Sequence, residues 1–558
     1  MAGCAPTTAR VPADIVLING GIYTVDTARS WAEAAAIRDG VIVAIGTNDE
    51  VERHIDDDTE VVDLSGRMAM PGIHDSHIHP LEGGCEQVYC NLGGVDSVDA
   101  VVDMLRDCGW EDDSEWFQAV GLNLGLFGID GPDKSILEGI APGKYIFVDA
   151  SDGHAALVND KVLDLVGFDE NTPDPVGGVI ERPKNGELSG TVRETARDVV
   201  DKNRPPRELD VSIAAMREAV KQMHSFGITS VYDVWVGEHE MLTYAALSKS
   251  GELNLRVLGG IIDEGVFEKH TGEDFERVVR ERERYESENV SFNSVKFMVD
   301  GVFEGETGSL LAPYANVDHL GVLNHSPDEL RQRVTRFYNL GLQLHFHTMG
   351  DGAVRAALDA LQHARAQDDE SLLDNRHTLS HLGLIDPADI PRFAKFNAGA
   401  SFTMVWAYTN DWTMNLEIPA LGRERVANLY PIRSVHEAGG VVLGGSDWNY
   451  GDLNPLSSIE TGVTRANPFA PSDFEVFSDE IVSLATMIDA YTINGAWQTH
   501  SEGESGSIEV GKRADVVVFD RNLFDIAPKG ISETVVDLTI FDGRVVYDRT
   551  QQGARVFN

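Results

Sequence analysis

Between residues 227 and 447, short apolar runs alternate with stretches whose apolar residues return every three or four positions. The runs at 229–234, 255–261, 294–299, 342–347, 378–382, 398–405 and 441–446 predict buried strands, and 68–79 supplies an eighth. The stretches at 273–286, 327–339, 353–366 and 423–438 carry the helical period. Strand–helix units repeated in this way predict an α/β fold, a (β/α)8 TIM barrel over 69–504, with its working site at the carboxyl ends of the strands.

The two chain ends follow another pattern. Residues 13–26 and 535–548 each read as strand, glycine turn and strand, while 35–46 and 516–519 add further strands. Long apolar alternations at both ends need covering, so 10–68 and 505–558 are expected to form one small β-sandwich domain with the barrel inserted between them. Residues 84–209 are too many for a barrel loop. They hold apolar patterns of their own at 101–105, 145–148 and 161–166 and a Pro/Gly-rich turn at 171–178. An inserted subdomain after the first barrel strand is expected there, over the mouth, shaping the substrate pocket.

Charge narrows the range of partners. Asp and Glu number 91 against 45 Lys and Arg, a net charge of −46, and only 12 of the cations are lysine. Such a surface repels nucleic acid and anionic membranes, and the expected partner is a small-molecule substrate. The excess runs through the whole chain and predicts adaptation to high cytoplasmic salt, as in halophilic archaea. Oligomeric state is not specified, and a homodimer stays open. Cys4, Cys85, Cys90 and Cys108 are too few and too irregularly spaced for a disulfide framework or a zinc ribbon, so a reducing compartment is expected. No run of about 18 apolar residues occurs, which predicts a cytoplasmic protein with no membrane span.

The candidate chemistry sits at strand ends. His77 and His79 in Asp75-Ser76-His77-Ile78-His79 point to one face of an extended segment, a chelating geometry. Residues 342–347 alternate likewise, with Leu342, Leu344 and Phe346 on one face and Gln343, His345 and His347 on the other. His381 and Asp447 close two further apolar runs. Imidazoles and a carboxylate gathered by a barrel suit zinc or a neighbouring first-row metal.

These motifs resemble the amidohydrolase superfamily, in particular its branch of N-substituted-formamide-deformylase-like (YtcJ-like) metal-dependent hydrolases. The resemblance rests on Met70-Pro-Gly-Ile-His-Asp-Ser-His-Ile-His79, Asp152-Gly-His154, Val295-Lys-Phe-Met-Val-Asp-Gly301, Ala312-Pro-Tyr314, His347-Thr-Met-Gly-Asp351, Arg376-His-Thr-Leu-Ser-His381, Leu443-Gly-Gly-Ser-Asp447 and Gly506-Ser-Ile-Glu-Val-Gly-Lys-Arg-Ala-Asp515. It implies one or two divalent metals, most simply zinc. His77 and His79 would hold the more buried ion and His347 and His381 the outer one, with Asp447 contacting metal and handling protons. Lys296 occupies the place of a carbamylated lysine bridging two metals; the alternative is an unmodified lysine paired with a carboxylate such as Asp300. Three positions depart from the branch: Ser380 stands where it often has an acidic residue, and Met349 and Gly352 alter the stretch after His347.

The reaction so implied is hydrolysis of a non-peptide carbon–nitrogen bond in an amide or N-formyl substrate. Asp447, His381 and Lys296 are the expected catalytic residues, and Asp152, His154, Trp406 and Trp448 the expected substrate contacts, with Tyr408 a further aromatic candidate. A single-metal deaminase of a ring C=N bond and a catalytically silent scaffold are the rival readings.

Overall fold

The computed structural model describes residues 12–109, 114–151, 155–175, 178–182, 186–204, 207–263, 274–303, 305–366, 374–470, 474 and 478–552. Eight strands form one all-parallel sheet: β1 (Ile73–Ile78), β2 (Ile228–Val236), β3 (Arg256–Ile262), β4 (Val290–Met298), β5 (Gln343–Thr348), β6 (Thr378–His381), β7 (Gly399–Phe402) and β8 (Val441–Gly444). They pair in chain order, and β1, β5, β6 and β7 are buried along their whole length. The two ends of the sheet meet just beyond β1 and β8, where Asp447 N–H donates to the His77 carbonyl at 2.8 Å and His79 N–H to the Trp448 carbonyl at 2.7 Å. Gly445 permits that approach, since a Cβ there would lie 2.8 Å from His77 Cβ.

The predicted strand 68–79 is two strands. Met68–Pro71 belongs to a six-stranded sheet of the terminal domain, and only Ile73–Ile78 enters the barrel. The chain passes between them at Gly72, where any Cβ would sit 2.3 Å from Thr229 Oγ1. The predicted helix 423–438 is also interrupted, into Arg423–Val426 and Ile432–Glu437. Tyr430 has a left-handed φ of 52° and Pro431 has no N–H to continue a helix. The helices Pro327–Asn339 and Asp351–Arg365 appear where the helical period predicts them.

Both chain ends build the small β domain. A four-stranded sheet (Val41–Gly46, Ala34–Arg38, Ile15–Ile18, Glu60–Asp63) faces a six-stranded one that includes Met68–Pro71, Val516–Phe519, Val536–Phe541 and Arg544–Asp548. Leu17, Ile37 and Ile42 of the first share a core with Ala69, Val516, Val518 and Ile540 of the second, which makes a sandwich. Arg256, at the start of β3, pairs with Asp515 and Asp542 of this domain.

The chain divides into two compact units, and Pro80–Ala219 is the main body of the second. That unit has its own six-stranded mixed sheet and its own apolar cores, with Phe117, Ile146 and Leu157 in one and Phe147, Val158 and Val192 in another. It also holds a disulfide between Cys90 and Cys108, 18 residues apart, while Cys85 is free and buried. No disulfide framework is expected from the cysteine spacing. The helix Val98–Asp107 carries Cys108 back to the short edge strand Cys90–Asn91, and the bonded pair runs against the reducing compartment inferred from the sequence. Among the described residues, no helix is long and apolar enough to cross a membrane.

Candidate metal centre

Five inward-facing strand ends meet at one end of the barrel. β1 delivers His77 and, one residue beyond its end, His79; β4 delivers Lys296, β5 His347 and β6 its last residue, His381. Asp447 follows β8 by three residues. His381 and Asp447 hold left-handed φ values of 69° and 53°. For non-glycine residues that conformation is strained by about 1–2 kcal/mol, which the seam hydrogen bonds at Asp447 help to offset.

His77 Nε2 lies 3.2 Å and His79 Nε2 3.1 Å from the same Asp447 oxygen, and all three side chains are buried. Their ligand atoms fall within 4.8 Å of one another, the one such group of metal-ligating type among the described residues. Donors bound at 2.0–2.2 Å to one tetrahedral ion lie roughly 3.3–3.6 Å apart, close to the 3.1 and 3.2 Å that separate each histidine nitrogen from the shared Asp447 oxygen. Lys296 Nζ is 3.4 Å from His77 Nε2. The outer pair is looser. The rings of His347 and His381 lie 4.5 Å apart, and His381 Nδ1 is 3.2 Å from Thr403 Oγ1 and 4.0 Å from Asp447 Oδ2.

Burial sets the charge states. Desolvation, reinforced by Lys296, holds His77 well below the usual imidazole range, and desolvation with His347 does the same to His381. Burial lowers Lys296 to about 7, against the opposite pull of Asp447. For Asp447 itself burial works upward, but the hydrogen bond from His79 and the electrostatic influence of His381, His79 and Lys296 outweigh it, so its pKa lies below the ordinary carboxylate value. Neutral His77 and His381 beside an anionic Asp447 oxygen are protonation states a cation needs.

Asp300 is not a partner of Lys296. Its two oxygens accept from His347 Nδ1 (3.1 Å) and from the backbone N–H groups of Met349 (3.0 Å), Gly350 (2.9 Å) and Ser309 (2.9 Å). It therefore orients His347, a contact of the kind that ligating histidines commonly make. Ser380 turns away from the site to donate to the Phe346 carbonyl at 2.9 Å. Gly352 is required by packing, since a Cβ there would lie 2.8 Å from Ser309 Oγ.

Trp406 stacks on His381 with ring centres 5.5 Å apart and planes 16° from parallel. Trp448 is buried and is tied to the site through its carbonyl, and Tyr408 packs on Phe469 at 5.9 Å. Asp152 and His154 lie outside the described residues. The sequence reading missed Trp235 and Tyr450, whose rings are 6.2 and 5.5 Å from that of His79. It missed His345 as well, whose Nε2 is 2.9 Å from His77 Nδ1. Its place on the same strand face as His347 is a signal that was there to be read.

Comparison with known proteins agrees with this geometry. Residues 60–547 match the model of the Amidohydrolase family. The chain is 27% identical to N-substituted formamide deformylase of Arthrobacter pascens, over 96% of this chain and 99% of the relative. It is also 27% identical to Protein LONG AFTER FAR-RED 3 of Arabidopsis thaliana, over 97% and 92% respectively. In fold it is similar to an uncharacterized metal-dependent hydrolase from Pyrococcus furiosus, with a TM-score of 0.73 and 23% identity over 91% of this chain and 99% of that one. A family match over most of the chain, on a barrel that gathers two histidines and a carboxylate, means that the chain belongs to the amidohydrolase family, metal-dependent hydrolases of carbon–nitrogen bonds.

Proposed function

We propose that this protein hydrolyses a small amide or N-formyl amine with the help of one or two zinc ions. The observation that carries the reading is the meeting of His77 Nε2 and His79 Nε2 on one Asp447 oxygen at 3.2 and 3.1 Å. The likeness to an N-substituted formamide deformylase over nearly the full length of both chains supports the N-formyl class.

His77, His79 and Asp447 would hold the inner ion, and His347 and His381 an outer one. A bound divalent metal supplies a water of lowered pKa and polarises the substrate carbonyl. Asp447, ionised and anchored by its backbone to β1, accepts the proton of the attacking water and delivers it to the leaving nitrogen. Among the described residues Lys296 has no carboxylate within ion-pair distance, and its amine is brought down to about 7, which favours the neutral form able to take up carbon dioxide. Its carbamate would present an anionic oxygen beside His77. Trp406 backs the His381 ring. We take the 46 excess negative charges as an adaptation to molar salt.

The test is metal analysis of the purified full-length chain, with turnover of N-formyl amines, N-acyl amines and ring amidines measured in parallel. Bound zinc and release of formate or carboxylate are expected. Ammonia released from ring substrates alone would move the assignment to a deaminase, and a folded chain that binds no divalent metal would end it.

A further inference from the structure

His345 is fully buried and takes no part in the chemistry above. The strand period puts it on the same face of β5 as His347, and register sets it opposite Lys296 of β4. Its ring lies 4.7 Å from that of Tyr232 and 4.9 Å from that of His77. Its Nε2 is 2.9 Å from His77 Nδ1, while its own Nδ1 is buried without a partner among the described residues.

Two neutral imidazole nitrogens at that distance share one proton, so one donates and the other accepts. If His345 donates, His77 must carry its proton on Nε2, the atom that faces Asp447 at 3.2 Å and Lys296 at 3.4 Å. A protonated Nε2 has no lone pair for a cation. If His77 donates from Nδ1, its Nε2 lone pair is free, and the proton of His345 is driven onto its own Nδ1, where nothing receives it. One layer below, Gln343 is satisfied by the carbonyls of Arg376 and Gln498. The unsatisfied polar atom of β5 is thus confined to the residue that touches His77.

We propose that His345 is a positioning residue that accepts the Nδ1 proton of His77 and so reserves His77 Nε2 for the metal. The proposal rests on the metal-centre reading of the site. A partner of this kind sets both the tautomer and the ring orientation of a ligating histidine.

Zinc affinity, measured on the full-length chain by competition with a chromophoric chelator, is the test. His345→Leu removes the acceptor and keeps an apolar side chain, whereas His345→Gln offers an amide oxygen in its place. His345→Leu is expected to bind zinc about 10–100-fold more weakly, the usual scale for losing such a partner, with His345→Gln restored towards wild type. Circular dichroism without metal shows that the variants are folded. Wild-type zinc affinity in folded His345→Leu, or equal loss in both variants, overturns the proposal. Should His345→Leu not fold, imidazole 15N shifts of the zinc-loaded wild-type protein decide: a proton on His77 Nδ1 supports the proposal, and an unprotonated Nδ1 overturns it. A wild-type chain that binds no zinc would overturn the metal reading together with this one, whereas normal wild-type binding with an indifferent His345→Leu overturns this one alone.

Discussion

Asp300→Asn probes how the outer histidine is held. The replacement is nearly isosteric, so neither a cavity nor a clash enters. Oδ1 accepts from His347 Nδ1 and Met349 N–H, and Oδ2 from Gly350 and Ser309 N–H, at 2.9–3.1 Å. An asparagine has one acceptor oxygen, and whichever way it turns, two of the four donors meet an NH2 group instead. Hydrogen bonds to a charged acceptor contribute about 1.5–3 kcal/mol each, so the loss of two predicts a destabilisation of about 3–6 kcal/mol. Urea unfolding followed by tryptophan fluorescence measures it as a lowered midpoint at similar slope. If the amide turns its nitrogen towards His347, that ring is released as well, and metal content should fall with stability. A destabilisation under about 1 kcal/mol would refute the reasoning, because it would mean that the four donors find other acceptors, such as water, in a site described as buried.

Three further outcomes are expected. Asp447→Asn should keep much of the metal held by His77 and His79 while turnover drops by about 10² or more, the scale for a positioned general base; near wild-type rates at full metal content would place the proton elsewhere. His224 is buried, with Nε2 2.8 Å from the Asn254 carbonyl, and desolvation takes its pKa to about 4 from an ordinary 6.5. The unfolded chain therefore binds the extra proton first, so the stability that neutral His224 confers above pH 6.5 is lost as pH falls towards 4, by up to about 1.4 kcal/mol per unit. Urea titrations at pH 7, 6 and 5 should show a shallower decline in His224→Gln, and an identical decline would sink the assignment. Finally, molar KCl shortens the Debye length to about 3 Å and should raise the melting temperature of a chain carrying 46 excess negative charges; a salt-independent melting temperature would contradict the adaptation argument.

Much of the barrel is legible because buried parallel strands read as uninterrupted apolar runs, and the helix Pro327–Asn339 because its period, its Ser326 cap and its N-terminal proline agree. The division of 68–79 is not, since Met68–Pro71 and Ile73–Ile78 are both extended and fully buried, and the crossing depends on the room left by Gly72 beside Thr229. Residues 423–438 carry a helical period on both sides of a break that Pro431 alone announces. Within the site, His77, His79 and Asp447 are announced by their strand-end positions. His345 is hidden by looking like the polar half of an alternation, and Asp300 by lying four residues from Lys296 in sequence but committed in space to His347. Trp235 and Tyr450 reach His79 only through the curvature of the barrel, which no local pattern encodes. The Cys90–Cys108 pair depends on a helix folding back on an edge strand, again a tertiary matter.

The pair of backbone hydrogen bonds between the ends of β1 and β8 has a bearing on how the protein is made. His77 and Asp447 are 370 positions apart, and each is fastened to the other's strand at 2.8 Å. During synthesis His77 and His79 leave the ribosome long before Asp447 exists, and contacts of such long sequence separation are the slowest to form. No partial chain ending before β8 owns a complete inner cation site, so a nascent barrel has no means of capturing metal prematurely at that position. Once the last strand docks, a cation held by residues on both sides of the closure would stabilise the closed ring over the open one by mass action. Metal supply would then govern how long a newly finished chain remains open to proteases, as well as whether it turns over substrate.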